Sequence, residues 1–201
     1  MAMDGMIAGV DTTGVAATFL LYNLATNPAK QELLHQEIVD IIGPSVLDPI
    51  TESKLKKMKY LRACCQESHR MRPVTIGLGR RTQKEVTLSG YKVPQGVPVI
   101  YTAFVSYGSS SHYPDPQDYR PERWLRGHPD HHTAHPFAHI PFGHGPRMCI
   151  GRRFAELEVN ILAIRLLQMF RLEYDDPKVN IALSFTNKPD RQVNIKFINR
   201  L

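Results

Sequence analysis

One cysteine of this sequence lies in a setting that suits a metal-binding thiolate. Cys149 stands near the end of the segment PFGHGPRMCIG, residues 141–151, in which three positions are glycine. A helix that begins just after Cys149 would place the positive end of its dipole at the sulfur, which favours the thiolate. Glycines let backbone N–H groups turn toward the sulfur. A lone cysteine before a helix is more often a buried structural residue, but the full pattern F-G-x-G-x-R-x-C-x-G favours an iron ligand.

A second group of chemically capable residues lies near the start of the chain, in the run AGVDTT. Asp11 and Thr12 form an acid–alcohol pair, which can relay protons to a reacting group. The small residues Ala8 and Gly9 would leave room beside the helix for a small molecule. Taken alone, Asp11 is equally well explained as an awkward residue of a core helix. Together with the cysteine segment, proton delivery is the favoured interpretation.

The elements that must position these residues can be predicted from the apolar periodicity and from the Pro and Gly positions. A chain of 201 residues is long enough for one ordinary domain. Short alternating runs around Ser89-Gly90 predict a hairpin, residues 97–103 predict another strand, and the tail from 172 to 201 alternates enough for small strands. Residues 106–140 predict a long ordered loop. The predicted helices cover residues 3–26, 28–42, 51–72 with a break near Leu55, and 151–170. The predicted fold class is therefore mainly α with small β-sheets.

The cysteine segment resembles the haem-binding loop of the cytochrome P450 family, and further motifs follow in that family's order along the whole chain. Glu67-Ser68-His69-Arg70 is similar to the family's E-x-x-R, and Pro121-Glu122-Arg123-Trp124 to its P-E-R-[FW] element. The AGVDTT run resembles the motif of its I helix. By itself E-x-x-R carries little weight, since it more often marks a surface ion pair. The resemblance implies that residues 1–201 form a single partial domain, the C-terminal haem-binding portion, with the N-terminal portion absent.

The resemblance also implies a cofactor site, with haem b bound through Cys149 as the axial ligand of the iron. It further implies a buried network of Glu67, Arg70 and Arg123 that locks the cysteine loop and is needed for haem incorporation. Arg81 is an alternative to Arg80, and a solvated strand end is an alternative for both. The implied haem contacts are Arg147 and Arg80 at the propionates, Phe142 as a shield of the ligand, Gly143 and Gly151 in the loop, and Ala8 and Gly9 beside the dioxygen site.

The activity implied by the resemblance is that of a haem-thiolate monooxygenase. Such an enzyme uses dioxygen and two electrons to hydroxylate a lipophilic substrate, here expected to be steroid- or sterol-like. Val74 to Leu78 would line the substrate pocket, and this stretch is mostly apolar. Asp11 and Thr12 would be the catalytic pair. The alternative is a truncated, non-catalytic fragment that at most binds haem or a ferredoxin partner.

The electron donor is predicted from charge and from the run CIGRRFAELE, which is similar to the mitochondrial-type animal branch, with insect members one possibility. That branch implies an acidic ferredoxin and a matrix-side location on the mitochondrial inner membrane. Gln66 departs from the branch's second basic residue, so a flavoprotein reductase and the endoplasmic reticulum remain alternatives. The net charge is +6, and no nucleic-acid module is present. The predicted docking patch, for which a solvated basic surface is the alternative, consists of Lys57, Lys59, Arg62, Arg152 and Arg153.

Three further features of the sequence limit these interpretations. The cysteines Cys64, Cys65 and Cys149 form no disulfide framework, which favours a reducing compartment. Asp11 interrupts the apolar run of residues 6–25, so a buried helix is predicted there and not a membrane span. A metal site is conceivable in the histidine-rich part of the long loop, but a solvated loop is favoured. Its histidines are His128, His131, His132, His135 and His139.

Overall fold

The computed structural model describes residues 2–200, with side chains from residue 8 onward. The described residues form a mainly helical fold with small sheets, as the sequence predicts. The helices are α1 (Ala2–Ala25), α2 (Pro28–Ile41), α3 (Glu52–Lys57), α4 (Lys59–Met71), α5 (Ala103–Tyr107) and α6 (Arg152–Met169). The strands are β1 (Gly77–Arg81), β2 (Val86–Leu88), β3 (Tyr91–Val93), β4 (Pro98–Thr102), β5 (Phe170–Glu173), β6 (Ile181–Ala182), β7 (Lys188–Pro189) and β8 (Lys196–Asn199).

The core forms where α1, α2, α4 and α6 meet, because each of these helices buries one apolar side against the others. Leu24, Leu34, Leu61 and Ile164 are almost completely buried there. A polar contact also joins two of these helices, since Asn23 Nδ2 donates to Ser68 Oγ at 3.1 Å. The packing fixes α1, which carries the predicted acid–alcohol pair, against α4 and α6, which lie on either side of the cysteine segment.

Buried Gln31 joins α1, α2 and β5 through its side-chain amide. Its Nε2 donates to the carbonyl oxygens of Leu24 and Leu172 at 3.1 and 2.9 Å, and its Oε1 accepts the Leu172 N–H at 2.8 Å. These bonds satisfy backbone groups that have no water nearby, which makes the side chain costly to replace. One side chain thus connects residues that are 141 positions apart.

The sequence predicts a break in the third helix near Leu55, whereas the structure has it three residues later. The structure separates α3 from α4 at Met58, whose φ and ψ are −70° and 79°. The reason lies in α2, because Glu37 accepts the N–H groups of Tyr60 and Leu61 at 2.7 and 2.9 Å. A carboxylate from a neighbouring helix therefore caps α4, and Met58 is buried at the junction.

The strands form four small antiparallel pairs, β1 with β4, β2 with β3, β5 with β8, and β6 with β7. The predicted hairpin is confirmed, because β2 and β3 pair with Val86 opposite Val93. Its turn has positive φ at Ser89 (50°) and Gly90 (85°), as a tight two-residue hairpin turn requires. The β1–β4 pair sits next to the cysteine segment and places the end of the apolar stretch 74–78 there.

The long loop predicted over residues 106–140 is held by local contacts, and several of its histidines serve turns. His128 Nδ1 accepts the N–H of Asp130 at 3.1 Å, and His135 Nδ1 accepts that of Phe137 at 3.2 Å. Short 3₁₀ helices span Pro121–Trp124 and Pro136–Ala138. Among residues 8–200, whose side chains the structure describes, no group of three or more His, Cys, Asp and Glu side chains is arranged to hold a metal ion. No helix in the same range has an apolar run long enough to cross a membrane.

Candidate functional site

The cysteine segment and α1 border one cavity of about 330 Å³. Cys149 and Thr12 both line it, although they are separated by most of the chain. Its walls are mainly apolar, which suits a planar apolar cofactor or a lipophilic molecule. The other lining side chains include Ala16, Val74, Leu78, Phe142, Val159 and Phe185.

The backbone of the cysteine segment folds back on itself before α6 begins. The Cys149 N–H donates to the carbonyl oxygen of Phe142 at 2.8 Å, and the Met148 N–H to that of Gly145 at 3.0 Å. Gly143 adopts φ 78°, a conformation that favours glycine. Gly151 is the N-cap of α6, and a β-carbon added there would come within 4.0 Å of Cys149 Sγ. The exposed thiol of Cys149 therefore stands just before a helix N-terminus, a donor set and setting that fit a thiolate ligand of haem iron.

Phe142 is fixed in place from two sides. The guanidinium of Arg152 lies 5.5 Å from the centre of its ring, and the His69 ring packs edge-on at 5.5 Å. Arg152 itself is held by Glu156, with 2.9 Å between Nε and Oε1. Phe142 and exposed Cys149 line the same cavity, and the sequence predicts that this ring shields the ligand from water.

The arginines predicted to bind carboxylates of the cofactor take different positions. Arg147 lines the cavity. Arg80 reaches toward the cysteine segment, where its Nη2 donates to the His144 carbonyl oxygen at 3.4 Å. Arg81 is turned the other way and donates to the Gly96 carbonyl oxygen. Of the two arginines that the sequence left open, Arg80 therefore has the geometry that favours a propionate contact.

Glu67, Arg70 and Arg123 are brought together in the interior. Arg70 donates to both oxygens of the Glu67 carboxylate, with Nε at 2.9 Å and Nη2 at 2.8 Å, and Arg123 Nε donates at 2.9 Å. All three side chains are almost completely buried. Two further donors complete the shell, the Arg120 N–H at 3.0 Å and Trp124 Nε1 at 2.8 Å. A buried carboxylate with so many donors is stabilised as an anion, whereas loss of a partner would leave a charge uncompensated.

The network contacts the long loop directly and the cysteine segment only through intermediates. Arg70 Nη1 donates to the carbonyl oxygens of Tyr107 and Pro116 at 2.9 and 2.8 Å. Tyr107 then accepts the Ile140 N–H on its hydroxyl at 3.0 Å, just before the cysteine segment. In the part of the chain that the structure describes, no hydrogen bond runs from the three charged residues to residues 141–151.

Two partners of Glu67 were not predicted from the sequence. The sequence contained an indication for the Trp124 indole, because this residue is the last of the P-E-R-W element that resembles the family's motif. The Arg120 N–H had none, since a backbone donor has no residue-specific signature. Trp124 also extends the network, because its ring centre lies 4.6 Å from that of His139.

Asp11 and Thr12 point in different directions. The Thr12 hydroxyl donates to the Ala8 carbonyl oxygen within α1 at 2.6 Å, while Asp11 Oδ1 pairs with Lys188 Nζ at 2.9 Å. No hydrogen bond joins Asp11 to Thr12 among the described residues. Gly9 has open space where a β-carbon would stand, and Ala8 and Gly9 are exposed. The predicted pair is therefore not assembled, and only Thr12 belongs to the cavity with Cys149.

Comparisons with known proteins identify the family of the chain. The family model described as Cytochrome P450 matches residues 1–194. The chain belongs to the cytochrome P450 family. Among its relatives in Drosophila melanogaster, "Probable cytochrome P450 49a1" is 38% identical over 100% of this chain and 35% of its own length. "Probable cytochrome P450 301a1, mitochondrial" is 37% identical over 98% and 36%, and "Cytochrome P450 302a1, mitochondrial" 38% over 96% and 40%. The chain thus spans little more than a third of the length of these P450 relatives.

The histidines near this P450 site make stability dependent on pH. Burial, followed by the charge of His69, lowers the pKa of His139 from 6.5 to about 3. The unfolded state therefore binds more protons below pH 6.5, so the free energy of unfolding falls by about 1.4 kcal/mol per pH unit for this residue as pH drops. His139→Phe, which keeps a ring against Trp124, should flatten this part of the urea-midpoint profile between pH 6.5 and 4. His128→Asn at an exposed site is the control, and equal slopes in both variants would contradict the assignment.

Proposed function

We propose that this chain is the C-terminal portion of a longer monooxygenase, one that hydroxylates a lipophilic substrate at a haem ligated by Cys149. The carrying observation is that Cys149 and Thr12 line one apolar cavity, with Cys149 just before the N-terminus of α6. Haem bound at this site would supply an iron that activates dioxygen, and with two electrons and two protons one oxygen atom would enter the product while the other would leave as water.

The cysteine segment holds the cofactor in this proposal. Cys149 would hold the iron through its thiolate, and the Arg147 and Arg80 guanidiniums would bind the propionates as charge-assisted hydrogen-bond donors. Phe142, braced by Arg152, keeps water from the sulfur. Glu67 and its partners keep the preceding loop in place, since Arg70 binds the Tyr107 carbonyl and Tyr107 binds Ile140. Loop position is in this way tied to the interior of the helical core.

The substrate side of the cavity is formed by apolar residues. Val74, Leu78 and Phe185 line it, which favours a lipophilic substrate of the steroid or sterol kind. The Thr12 hydroxyl lies at the same cavity and is the residue placed to pass a proton to the reacting centre. Asp11 is the proton source in this proposal, and it reaches Thr12 only after leaving Lys188.

An acidic ferredoxin is the proposed electron donor, and the mitochondrial inner membrane, matrix side, the proposed location. Two of the relatives compared above carry "mitochondrial" in their names. Arg62 and Arg152 border a common polar cavity of about 590 Å³ beside the cysteine segment. Arg152 is engaged with Glu156 and Phe142, which makes exposed Arg153 the better candidate for contact with the partner.

The second candidate function is a non-catalytic fragment that at most binds haem or a ferredoxin. It is favoured by the apolar surface that continues from the cysteine segment along α6. Ile150 and Phe154 are 102% and 73% exposed, and Leu157 and Ile161 are also exposed. Exposed apolar patches of this kind normally require a covering partner.

The first experiment separates the two candidates by spectroscopy. The chain and the complete coding sequence that contains it are expressed, reduced and treated with carbon monoxide. We expect the red-shifted thiolate-haem band in the longer protein and its loss in Cys149→Ser. Cys64→Ser, which changes a buried cysteine away from the cavity, should keep the band. A longer protein without the band would refute the monooxygenase proposal, and a band in the chain alone would show that this portion builds the site unaided.

Removal of Glu67 should prevent haem incorporation. Glu67→Ala leaves the Arg70 and Arg123 guanidiniums buried without their carboxylate, at a cost of about 3–5 kcal/mol in stability. We expect the ratio of Soret absorbance to protein absorbance to fall to less than about half that of the unaltered protein. Glu52→Ala removes a carboxylate from an exposed pair with Lys56 and serves as the control. Normal haem occupancy in Glu67→Ala would show that the network does not support the site.

Charge reversal on the proposed docking surface should weaken electron transfer. With a ferredoxin as donor, Arg153→Glu should raise the ferredoxin KM about tenfold at low salt, and the difference should shrink as salt increases. Lys92→Glu, at an exposed position of β3, makes the same charge change on a separate hairpin. An equal KM for both variants would argue against docking at Arg153.

A further inference from the structure

Two cavities border the cysteine segment, and they share part of their walls. The first is the mainly apolar cavity of about 330 Å³ that Cys149 lines, and the second is the polar cavity of about 590 Å³ beside it. Residues that line both cavities lie between them, and five of these form what is here called the shared wall. The shared wall consists of Cys65, His69, Phe142, Glu156 and Asn160.

The ring of His69 lies between α4 and the cysteine segment. It packs edge-on against Phe142, with 5.5 Å between the ring centres and 70° between the ring planes. His69 also lines a third space, of about 10 Å³, on the side of α1 and α6. Three spaces therefore meet at this one side chain, and removal of its ring would join them.

The orientation of Phe142 depends more on His69 than on its other neighbour, Arg152. The Arg152 side chain is 49% exposed and its partner Glu156 is 42% exposed, so this ion pair contributes little to stability and can open at small cost. His69, in contrast, is carried by α4, which is fixed in the core through buried residues such as Leu61. The contact of Phe142 with His69 is therefore the firmer of the two.

The imidazole of His69 is neutral near pH 7. Burial lowers the pKa of His69 from 6.5 to about 4, and the charge of Glu156 raises it by a smaller amount. A neutral ring packs against an aromatic side chain without the desolvation cost of a cation. It also keeps one donor and one acceptor nitrogen, which can face polar surroundings. Histidine therefore suits a wall with a polar cavity on one side and an apolar cavity on the other.

The thiol of Cys65, one turn earlier on α4, reports on the same wall. Its Sγ donates to Asn160 Oδ1 at 3.5 Å. Burial, followed by the charge of Glu156, raises the pKa of Cys65 from 9.0 to about 12. The thiol is therefore protonated near pH 7 and reacts slowly. Water that entered through the wall would lower this pKa and make the thiol more reactive.

We propose that His69 is a positioning residue for Phe142 and closes the shared wall, so that water in the polar cavity does not pass to the cavity of Cys149. Consecutive positions of α4 then serve different ends, because Arg70 binds Glu67 in the interior and His69 contacts the cysteine segment. The proposal rests on the monooxygenase function given above, in which Phe142 shields the thiolate ligand.

The wall can be tested without any activity, on the complete protein. Thiols are labelled with iodoacetamide, and the rate at Cys65 is measured by mass spectrometry. His69→Ala should increase this rate at least about fivefold, and His69→Phe, which keeps a ring beside Phe142, should keep the original rate. Completely buried Cys64, which lines neither cavity, is the internal control. An unchanged rate at Cys65 in His69→Ala would overturn the proposal, and so would an equal rise at Cys64, because that would show general loosening of α4.

The consequence for the ligand is measured as the decay of the thiolate-haem band in the reduced, carbon monoxide-treated complete protein. Water that reaches the sulfur favours protonation and loss of the thiolate, so an open wall should shorten the lifetime of the band. We expect decay at least about threefold faster in His69→Ala and the original rate in His69→Phe. His128→Ala, at an exposed position, is the control. Equal decay in His69→Ala and the unaltered protein would show that His69 does not protect the ligand.

The two measurements distinguish failure of this proposal from failure of the proposed function. If the unaltered complete protein lacks the thiolate-haem band, the monooxygenase proposal fails, while labelling of Cys65 still reports whether His69 closes the wall. If the band is present and neither labelling nor decay responds to His69→Ala, only the positioning role is excluded.

Discussion

The buried carboxylate of Glu67 is the interaction on which the arrangement of the site depends. It accepts hydrogen bonds from Arg70, Arg120, Arg123 and Trp124, and it is shielded from water. A buried anion is tolerated only when its donors are all present, so the elements that carry them must meet in one geometry. Helix α4 and the long loop are joined by this requirement.

A short series of contacts connects the Glu67 network to the cysteine segment and fixes the position of that segment. Arg70 binds the Tyr107 carbonyl, the Tyr107 hydroxyl accepts the Ile140 N–H, and the Trp124 ring packs against His139. From Ile140 onward the segment stabilises itself, with the Cys149 N–H bonded to the Phe142 carbonyl. A thiolate ligand needs such a fixed position, because a metal site is only as precise as the groups that surround its ligands.

The cavity is bordered by the cysteine segment on one part of its wall and by the tip of the 181–189 hairpin on another. Cys149 is held by the loop and by α6, whereas the hairpin of residues 181–189 reaches the cavity with an exposed Phe185 and contacts α1 through the exposed Asp11–Lys188 pair. The hairpin is also anchored beside the cavity by buried Asn187, which donates to the carbonyl oxygens of Pro73 and Val74. The Asp11–Lys188 pair is about half exposed and contributes little to stability.

The sequence by itself determined helices α1, α2 and α6 and the β2–β3 hairpin through periodicity and turn residues, and it indicated the P450 family through the resemblance of its motifs. The short helix α5 was not predicted. Only the tertiary structure decided the break at Met58, which depends on Glu37 of another helix, and the indirect route from Glu67 to the cysteine segment. It also separated Arg80 from Arg81 and turned Asp11 from Thr12 to Lys188. The physical reason is common to all four. In each case the contacting residue is distant in sequence. The residue type of a backbone group or an exposed charge does not indicate which distant residue it will contact.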